Sequence, residues 1–530
     1  MVMVMKMRKG DIVELRIENM AYGGQGIARL KDGGARLKDE DARLKDEDAR
    51  LKDEDARLKD EDARLKDGEA RLKDGGARLK DGEARLKDGE ARQNGFVLFV
   101  KGAIPGDRVT AQVIKKKRDY AEARMITLLD PSPDRVQAPC PYSGFCGGCQ
   151  WQHVAYERQL SYKKDHVKDA LSRIGNLSHV LVHDVIPSEK QFAYRNKMEF
   201  SFSDRRWFLP DEFDQGEKAD QFALGLHVPG TFSKVIDVEA CLLQQEKGNH
   251  ILRAVKTFVK QARIPVYGLK SHQGFWRFLT LRYSTHFNEW MINLITADER
   301  PAVMKPLAET LSLRFDNIRT IVNNIHAGRA SIAVGEKASI YTGDGTIQDR
   351  IGPFRFQISA NSFFQTNSRG AEVLYEKVKE FAELTGPELV LDLYSGTGTI
   401  PIFISNQAKE IVGMEITQSA VLDAERNCKI NDILNCRFIL GDIKEKLTHL
   451  RMKPDVLIID PPRAGMHKDV LSRVMELGTE RIVYISCNPT TLARDMKTMS
   501  QDYRVVEIQP VDMFPHTFHI ESAAKLVRRK

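Results

Sequence analysis

The chain has 530 residues, 42% of them apolar and 29% charged; that length suits three or four domains, and the composition excludes disordered and fibrous classes. No membrane-spanning run of apolar residues occurs, Lys6, Arg8 and Lys9 interrupt the apolar N-terminus, and seven cysteines are too few for a secreted disulfide scaffold, so a cytoplasmic protein is expected. The formal charge of +7 suits a polyanionic partner.

In chain order, Val13, Leu15 and Ile17 alternate with Glu14 and Arg16, which predicts a half-buried strand. Residues 28–90 are nine copies of a seven-residue unit, Ala-Arg-Leu-Lys-Asp-x-x. They carry 18 Lys and Arg against 20 Asp and Glu, a net of −2, so the remaining 467 residues carry +9. The period does not make a coiled coil. Ala28 and Leu30 are two apart and Leu30 and Ala35 five apart, so no apolar seam forms on a helix. Gly68, Gly75, Gly76, Gly82 and Gly89 also oppose helix. A solvated insertion is expected, duplicated from one hairpin tip.

Asn94-Gly95 signals a turn into a strand over 96–100. Pro105-Gly106-Asp107 leads to a strand over 109–114, the basic run Lys115 to Arg118 follows, and another strand begins at Tyr120. Short strands with glycine turns predict a small barrel of oligonucleotide-binding type over 1–130. Basic residues beside Tyr120 suit a nucleic-acid face.

Pro131, Pro133, Pro139 and Pro141 mark a linker. Then comes Cys140-x5-Cys146-x2-Cys149, with Gly147 and Gly148 allowing the chain to wrap closely round an inorganic centre. A four-iron cluster needs a fourth ligand. Cys241 is the best candidate and His153 the next. Zinc held by four cysteines, or by three and a histidine, competes with this reading. Residues 154–175 read as an amphipathic helix, and 131–345 as a mixed α+β region.

From 346 to 530 buried strands alternate with helices, the pattern of a doubly wound α/β domain. A strand over 389–393 runs into the glycine loop Tyr394-Ser-Gly-Thr-Gly398. The next strand ends in Glu415, an acid able to accept both ribose hydroxyls. Pro401 stands where a dinucleotide fingerprint needs a third glycine, so S-adenosyl-L-methionine is the better ligand. Asp442 follows the third strand. A strand over 456–459 ends in Asp460-Pro-Pro-Arg463, which aims Asp460 into the cleft or uses it as a helix cap. Cys487 ends the strand beginning at Arg481, as a nucleophile or as a buried inert thiol. The segment from Phe514 to Glu521 reads as extended, with His519 and Glu521 on one face. Glu521 as general base is a sharper reading there than zinc.

Asp-Pro-Pro-Arg at 460–463, Ser-Cys-Asn-Pro-x-Thr-Leu-x-Arg-Asp at 486–495 and Phe-Pro-x-Thr-x-His-x-Glu at 514–521, in this order, resemble the RNA uridine C5-methyltransferase family. Asn-Ser-Phe-Phe-Gln-Thr-Asn at 361–367 matches it too. The leading barrel and the three clustered cysteines look like the branch that acts on 23S ribosomal RNA, where the barrel is a TRAM domain and the cysteines hold a [4Fe-4S] cluster. The resemblance implies a Rossmann-like methyltransferase domain with Gln365, Tyr394, Glu415 and Asp460 as S-adenosyl-L-methionine contacts. It implies Cys487 as nucleophile, Glu521 as base, and Cys140, Cys146, Cys149 and Cys241 as cluster ligands. RNA is the implied partner, no obligate protein partner is implied, and a monomer is expected. Thr399 stands where some members carry an asparagine contact. A tRNA uridine methyltransferase is the alternative, and a non-catalytic iron–sulfur RNA-binding protein the rival from another class. An amino-group methyltransferase fits less well, because Arg463 and not an aromatic follows Asp-Pro-Pro. A cytosine C5 enzyme would place a cysteine in that turn.

Overall fold

The computed structural model describes residues 7–30, 96–215 and 220–530, and the chain divides between Arg135 and Val136 into two compact units. The first unit is a single sheet of six strands: β1 (Ile12–Arg16), β2 (Asn19–Met20), β3 (Gly26–Leu30), β4 (Phe96–Lys101), β5 (Arg108–Lys116) and β6 (Tyr120–Asp130). Their order is β1-β5-β6-β4-β3-β2, and β1 also lies against β3, so the sheet curls toward a barrel. Alternation drives it: Val13 and Leu15, Leu98 and Val100, Val109, Ala111 and Val113 all point inward. The buried Asp107 carboxylate accepts from the Ile104 and Ser132 amides and from both ends of the Arg135 guanidinium, which closes the turn after β4.

One expectation is corrected here. Strand β3 includes Ala28, Arg29 and Leu30, the first three residues of the repeat. Ala28 is fully buried opposite Leu98, and Arg29 points outward to pair with Glu18 at 2.8 Å. Ala-Arg-Leu has the period of a strand, so the first copy completes the barrel instead of leaving it. The copies beyond Leu30 lie outside the described residues.

In the second unit an eight-stranded central sheet is built around Lys197–Ser203, Trp276–Ser284 and Glu289–Thr296. Helices Glu246–Ala262 and Pro301–Arg314 cover it over a core of Phe200, Trp276, Leu279 and Trp290. A second eight-stranded sheet contains β7 (Leu389–Leu393), β8 (Glu410–Glu415), β9 (Cys436–Leu440), β10 (Val456–Ile459), β11 (Arg481–Ser486), β12 (Tyr503–Val511) and β13 (Glu521–Arg528). The order is β9-β8-β7-β10-β11-β13-β12, with Leu181–Val182 on the outer edge. Strands β7 to β11 are parallel, and β13 runs against both of its neighbours.

Both faces of this sheet are buried. Leu391, Leu393, Val412, Met414, Leu457 and Ile459 face one core, while Val390, Ile411, Val456, Ile458 and Val483 face the other. Helices on both sides follow, as a mostly parallel sheet requires. Strand order reverses between β7 and β10, and ligands of such sheets bind at that crevice, beyond the carboxyl ends of the strands. Helix Tyr156–Ala170 precedes the central sheet in sequence, yet Val167 and Ala170 pack into the core of the second sheet. Among the described residues no helix is long and apolar enough to cross a membrane.

Candidate active site

The functional residues expected from the sequence stand along one edge. Tyr394 follows β7, Glu415 ends β8, Asp460 follows β10 and Cys487 follows β11. Glu521 reaches the same edge by a different route. Strand β13 is antiparallel to β11 with Ser486 opposite Ser522, so its first residue meets the end of β11. A cysteine and a glutamate 34 residues apart are thus neighbours by topology.

The glycine loop is preorganised. Tyr394, Gly396 and Gly398 all have positive φ, at 67°, 53° and 75°. A side chain at Gly398 would meet Phe438 and Ala424 within 3 Å, so the close packing of loop on helix requires glycine there. Glu415 holds the loop: Oε2 accepts from Gly396 N (3.0 Å) and Oε1 from Thr417 N (2.8 Å). Burial pushes the Tyr394 hydroxyl up to about 12. Gln365 is fixed from the central region, because Asn196 Nδ2 donates to its carbonyl (3.0 Å) and to Ser368 Oγ (2.7 Å). Thr399 opens the helix Thr399–Ile404 and pairs with the Tyr375 hydroxyl at 2.9 Å. Asp442 is a helix cap, accepting from Lys444 N. Asp460 is not a cap: among the described residues no hydrogen bond reaches its carboxylate, and burial alone raises it to about 7.

Asp460, Glu521 and Cys487 share an acidic corner. Burial raises Glu521 to about 8, with Asp460 adding and Arg463 opposing. Cys487 is half-buried, and its thiol is raised to about 12 by burial, then by Glu521, with Arg463 opposing. The inert-thiol reading expects a sealed side chain; this one keeps accessible surface beside a carboxyl group at the carboxyl edge of the sheet.

The approach to Glu521 departs from expectation. The segment 512–519 is not extended but folded into turns, with Thr517 N and Oγ1 both donating to the Phe514 carbonyl and His516 at φ 66°. His519 lines a cavity together with Arg463, and burial lowers it to about 4 and leaves it neutral. The zinc reading of His519 and Glu521 gains nothing: among the described residues no three His, Cys, Asp or Glu side chains come together to hold a metal ion.

That cavity, of about 390 Å³, is lined by Cys140, Cys146, Cys149 and Cys241 together with Arg195, Arg463, Phe514, Thr517 and His519. All four thiols are free. Burial raises Cys146 to about 11 and Cys149 to about 12, so without an electrophile they keep their protons. Gly148 N donates to Cys146 Sγ at 3.3 Å, and a side chain at Gly147 would strike the His227 carbonyl. Spacing brought three of these cysteines together, and the central sheet brings the fourth. His153 does not line the cavity.

Sequence reasoning missed the groups that hold the corner. Lys163 is completely buried, donating to Asp512 Oδ1 (2.6 Å) and to the Phe514 carbonyl (3.0 Å). Gln159, one turn earlier, accepts from His516 N at 2.8 Å. The His516 carbonyl accepts from Gln150 N and Trp151 N, beside the cysteine segment. The available signal was a polar stripe at 159, 163 and 166 on the buried face of a helix. Asp392, in β7, is 1% exposed with neither carboxylate oxygen hydrogen-bonded, and burial drives it well above the carboxylate range.

Residues 341–529 match the tRNA (Uracil-5-)-methyltransferase family and residues 80–126 the TRAM domain. An uncharacterized RNA methyltransferase of Chlorobaculum tepidum is 42% identical over 440 residues, 81% of this chain and 91% of that one. A second, from Porphyromonas gingivalis, is 40% identical over 82% of this chain and 95% of its own. Among solved structures, the Pyrococcus abyssi tRNA (uracil-54, C5)-methyltransferase in complex with S-adenosyl-L-homocysteine superimposes with a TM-score of 0.64 at 30% identity. The match covers 82% of this chain and 97% of that one.

Proposed function

Since the chain belongs to the uracil-C5 family of S-adenosyl-L-methionine-dependent RNA methyltransferases, we propose that it forms 5-methyluridine in 23S ribosomal RNA through a covalent bond between Cys487 and uracil C6. The observation that carries this reading is the antiparallel β13, which sets Glu521 beside Cys487 at the edge where Tyr394, Glu415 and Asp460 stand.

Uracil C5 is a weak nucleophile. The Cys487 thiolate adds to C6, and the electron pair of the C5–C6 double bond moves toward O4, leaving C5 electron-rich. S-adenosyl-L-methionine supplies the methyl group. The Glu521 carboxylate then takes the C5 proton, the C5–C6 double bond reforms, and the thiolate leaves C6. Burial raises both groups, so each must give up a proton before it can act as nucleophile or base. The target base leaves its stack to enter. Gln365, Tyr394, Glu415 and Asp460 hold the cofactor, Glu415 through its ribose hydroxyls.

Cys140, Cys146, Cys149 and Cys241 are the ligands of a [4Fe-4S] cluster in this proposal. Four cysteines line one cavity, the number of thiolates such a centre needs. Such a cluster would cross-link the cysteine segment to the central sheet. The protein acts as a cytoplasmic monomer.

A second reading, methylation of transfer RNA, is favoured by the Pyrococcus abyssi enzyme, which acts on tRNA and is matched over almost its full length. Nuclease digestion and mass spectrometry of RNA from a deletion strain decides between them. Loss of 5-methyluridine from one 23S fragment is expected, restored by the wild-type gene and not by Cys487→Ala. Glu521→Gln should instead accumulate protein covalently attached to RNA. Loss from tRNA alone establishes the second reading, and restoration by Cys487→Ala removes the mechanism.

A further inference from the structure

Two turns at the catalytic edge are tied together. Asn488 Nδ2 (3.2 Å) and Thr491 Oγ1 (3.3 Å) both donate to the Arg463 carbonyl. The other end of the Asn488 amide, Oδ1, accepts from Thr490 N and caps the helix Pro489–Met499. One side chain therefore fixes the Asp460-Pro-Pro-Arg463 turn to the residue that follows Cys487. Pro461 and Pro462 stiffen the first turn.

Arg463 stands out by its charge. Its side chain is exposed, and among the described residues no carboxylate lies within ion-pair distance of it. It lies on the cavity wall with Phe514, Thr517 and His519, and its charge acts on both Cys487 and Glu521, lowering each. Of the other groups at this corner, Asp460, Glu521 and Cys487 are acids and His519 is neutral, while the Lys163 ammonium is taken up by Asp512. Arg195 lines the same cavity; its Nε donates to the Lys197 carbonyl, and its charge acts on Cys241 and on His519.

We propose that Arg463 is a catalytic residue, whose guanidinium pairs first with the Cys487 thiolate and then with the uracil O4 that takes up the charge. This rests on the reading of Cys487 as nucleophile. The thiol proton leaves to solvent, and the sulfur pair forms the S–C6 bond. The π pair of C5–C6 becomes the enolate of C4 and O4. When C5 takes the methyl group, the cofactor sulfur leaves as a neutral thioether and O4 returns to a carbonyl, so the positive charge is needed only between those two events. A guanidinium suits the task because its fork can serve sulfur and oxygen in turn without losing its proton.

The test is site-resolved alkylation of Cys487 by iodoacetamide against pH, read by peptide mass spectrometry in the full-length protein with its metal content intact. Arg463→Gln should slow alkylation at pH 8 by about tenfold and move the profile to higher pH, one unit being tenfold in thiolate. Arg463→Lys should recover most of the loss. In steady-state assays Arg463→Gln should lower kcat with little change in KM for RNA, and equilibrium binding of S-adenosyl-L-homocysteine should be unchanged, which reports a folded site. An unchanged alkylation profile with a raised, salt-sensitive KM would make Arg463 a phosphate anchor and overturn the proposal. Loss of cofactor binding in both variants would also overturn it, by making the residue structural. An inactive Cys487→Ala with an unshifted Arg463→Gln profile defeats this inference alone, whereas an active Cys487→Ala defeats the covalent reading beneath it.

Discussion

Asp460 shows at a single residue how a buried, unpaired acid costs stability. Among the described residues nothing hydrogen-bonds its carboxylate, and burial raises it to about 7, against about 3.9 in an unfolded chain. The folded state therefore holds a proton that the unfolded state has released, and stability falls as pH rises from the lower value through the higher one. Asp460→Asn removes that loss. Urea unfolding of the free protein should find the variant more stable than wild type by about 1–2 kcal/mol at pH 8, the figure discounted for the part of the carboxylate that solvent still screens. At pH 4 the two should coincide. An advantage of equal size at both pH values would mean that packing, and not ionisation, sets it. If Asp460 holds the cofactor as proposed, the same substitution should abolish cofactor binding, read by equilibrium titration with S-adenosyl-L-homocysteine.

At the scale of elements, the parts of the site legible in the sequence are those that end strands. Tyr394, Glu415, Asp460 and Cys487 each follow a run of buried aliphatics, and a parallel sheet puts the ends of such runs on one edge. Glu521 was found by its motif, but its place depends on β13 being antiparallel, which no local pattern announces. The expectation of an extended segment from Phe514 to Glu521 fails over 514–519 for a related reason. The segment's shape is set by Lys163 and Gln159, some 350 residues earlier, and not by its own propensities. That dependence can be measured. Lys163→Met leaves Asp512 charged, buried and unpaired, which should cost about 3–5 kcal/mol in denaturant unfolding. Adding Asp512→Leu should recover only part of this, because Asp512 also accepts from Phe514 N (3.0 Å) and from the Tyr156 hydroxyl (2.9 Å). Full recovery would show that the ion pair, and not the wider network, shapes the approach to Glu521.

For the whole molecule the sharpest question is what the repeat contributes, and the barrel register answers part of it. Ala28 and Leu30 of the first copy face Leu98 and Phe96 across the β3–β4 pairing, so at least one copy belongs to the fold. A chain cut back to that copy joins β3 to β4 through nine residues, 31–34 and 91–95, ample for a hairpin. Loop-closure entropy grows only slowly with length, so the shortened chain should be as stable as the parent or slightly more so. Its melting temperature and kcat should match the parent within about twofold error in rate, because the strands and residues along the edge of the second sheet all come from 136–530. Deleting Ala28 to Leu30 as well should behave differently. It strips β4 of its partner and exposes Leu98, which should destabilise the first unit and raise KM for RNA while cofactor binding by residues 136–530 persists. The copies also carry a small negative excess, so removing all but one leaves the remainder more positive. RNA affinity of the shortened chain should therefore rise modestly at low salt and converge with the parent at high salt, as counterion release requires. A large loss of turnover on shortening, at any salt, would mean that the repeat handles substrate and is more than a lengthened hairpin.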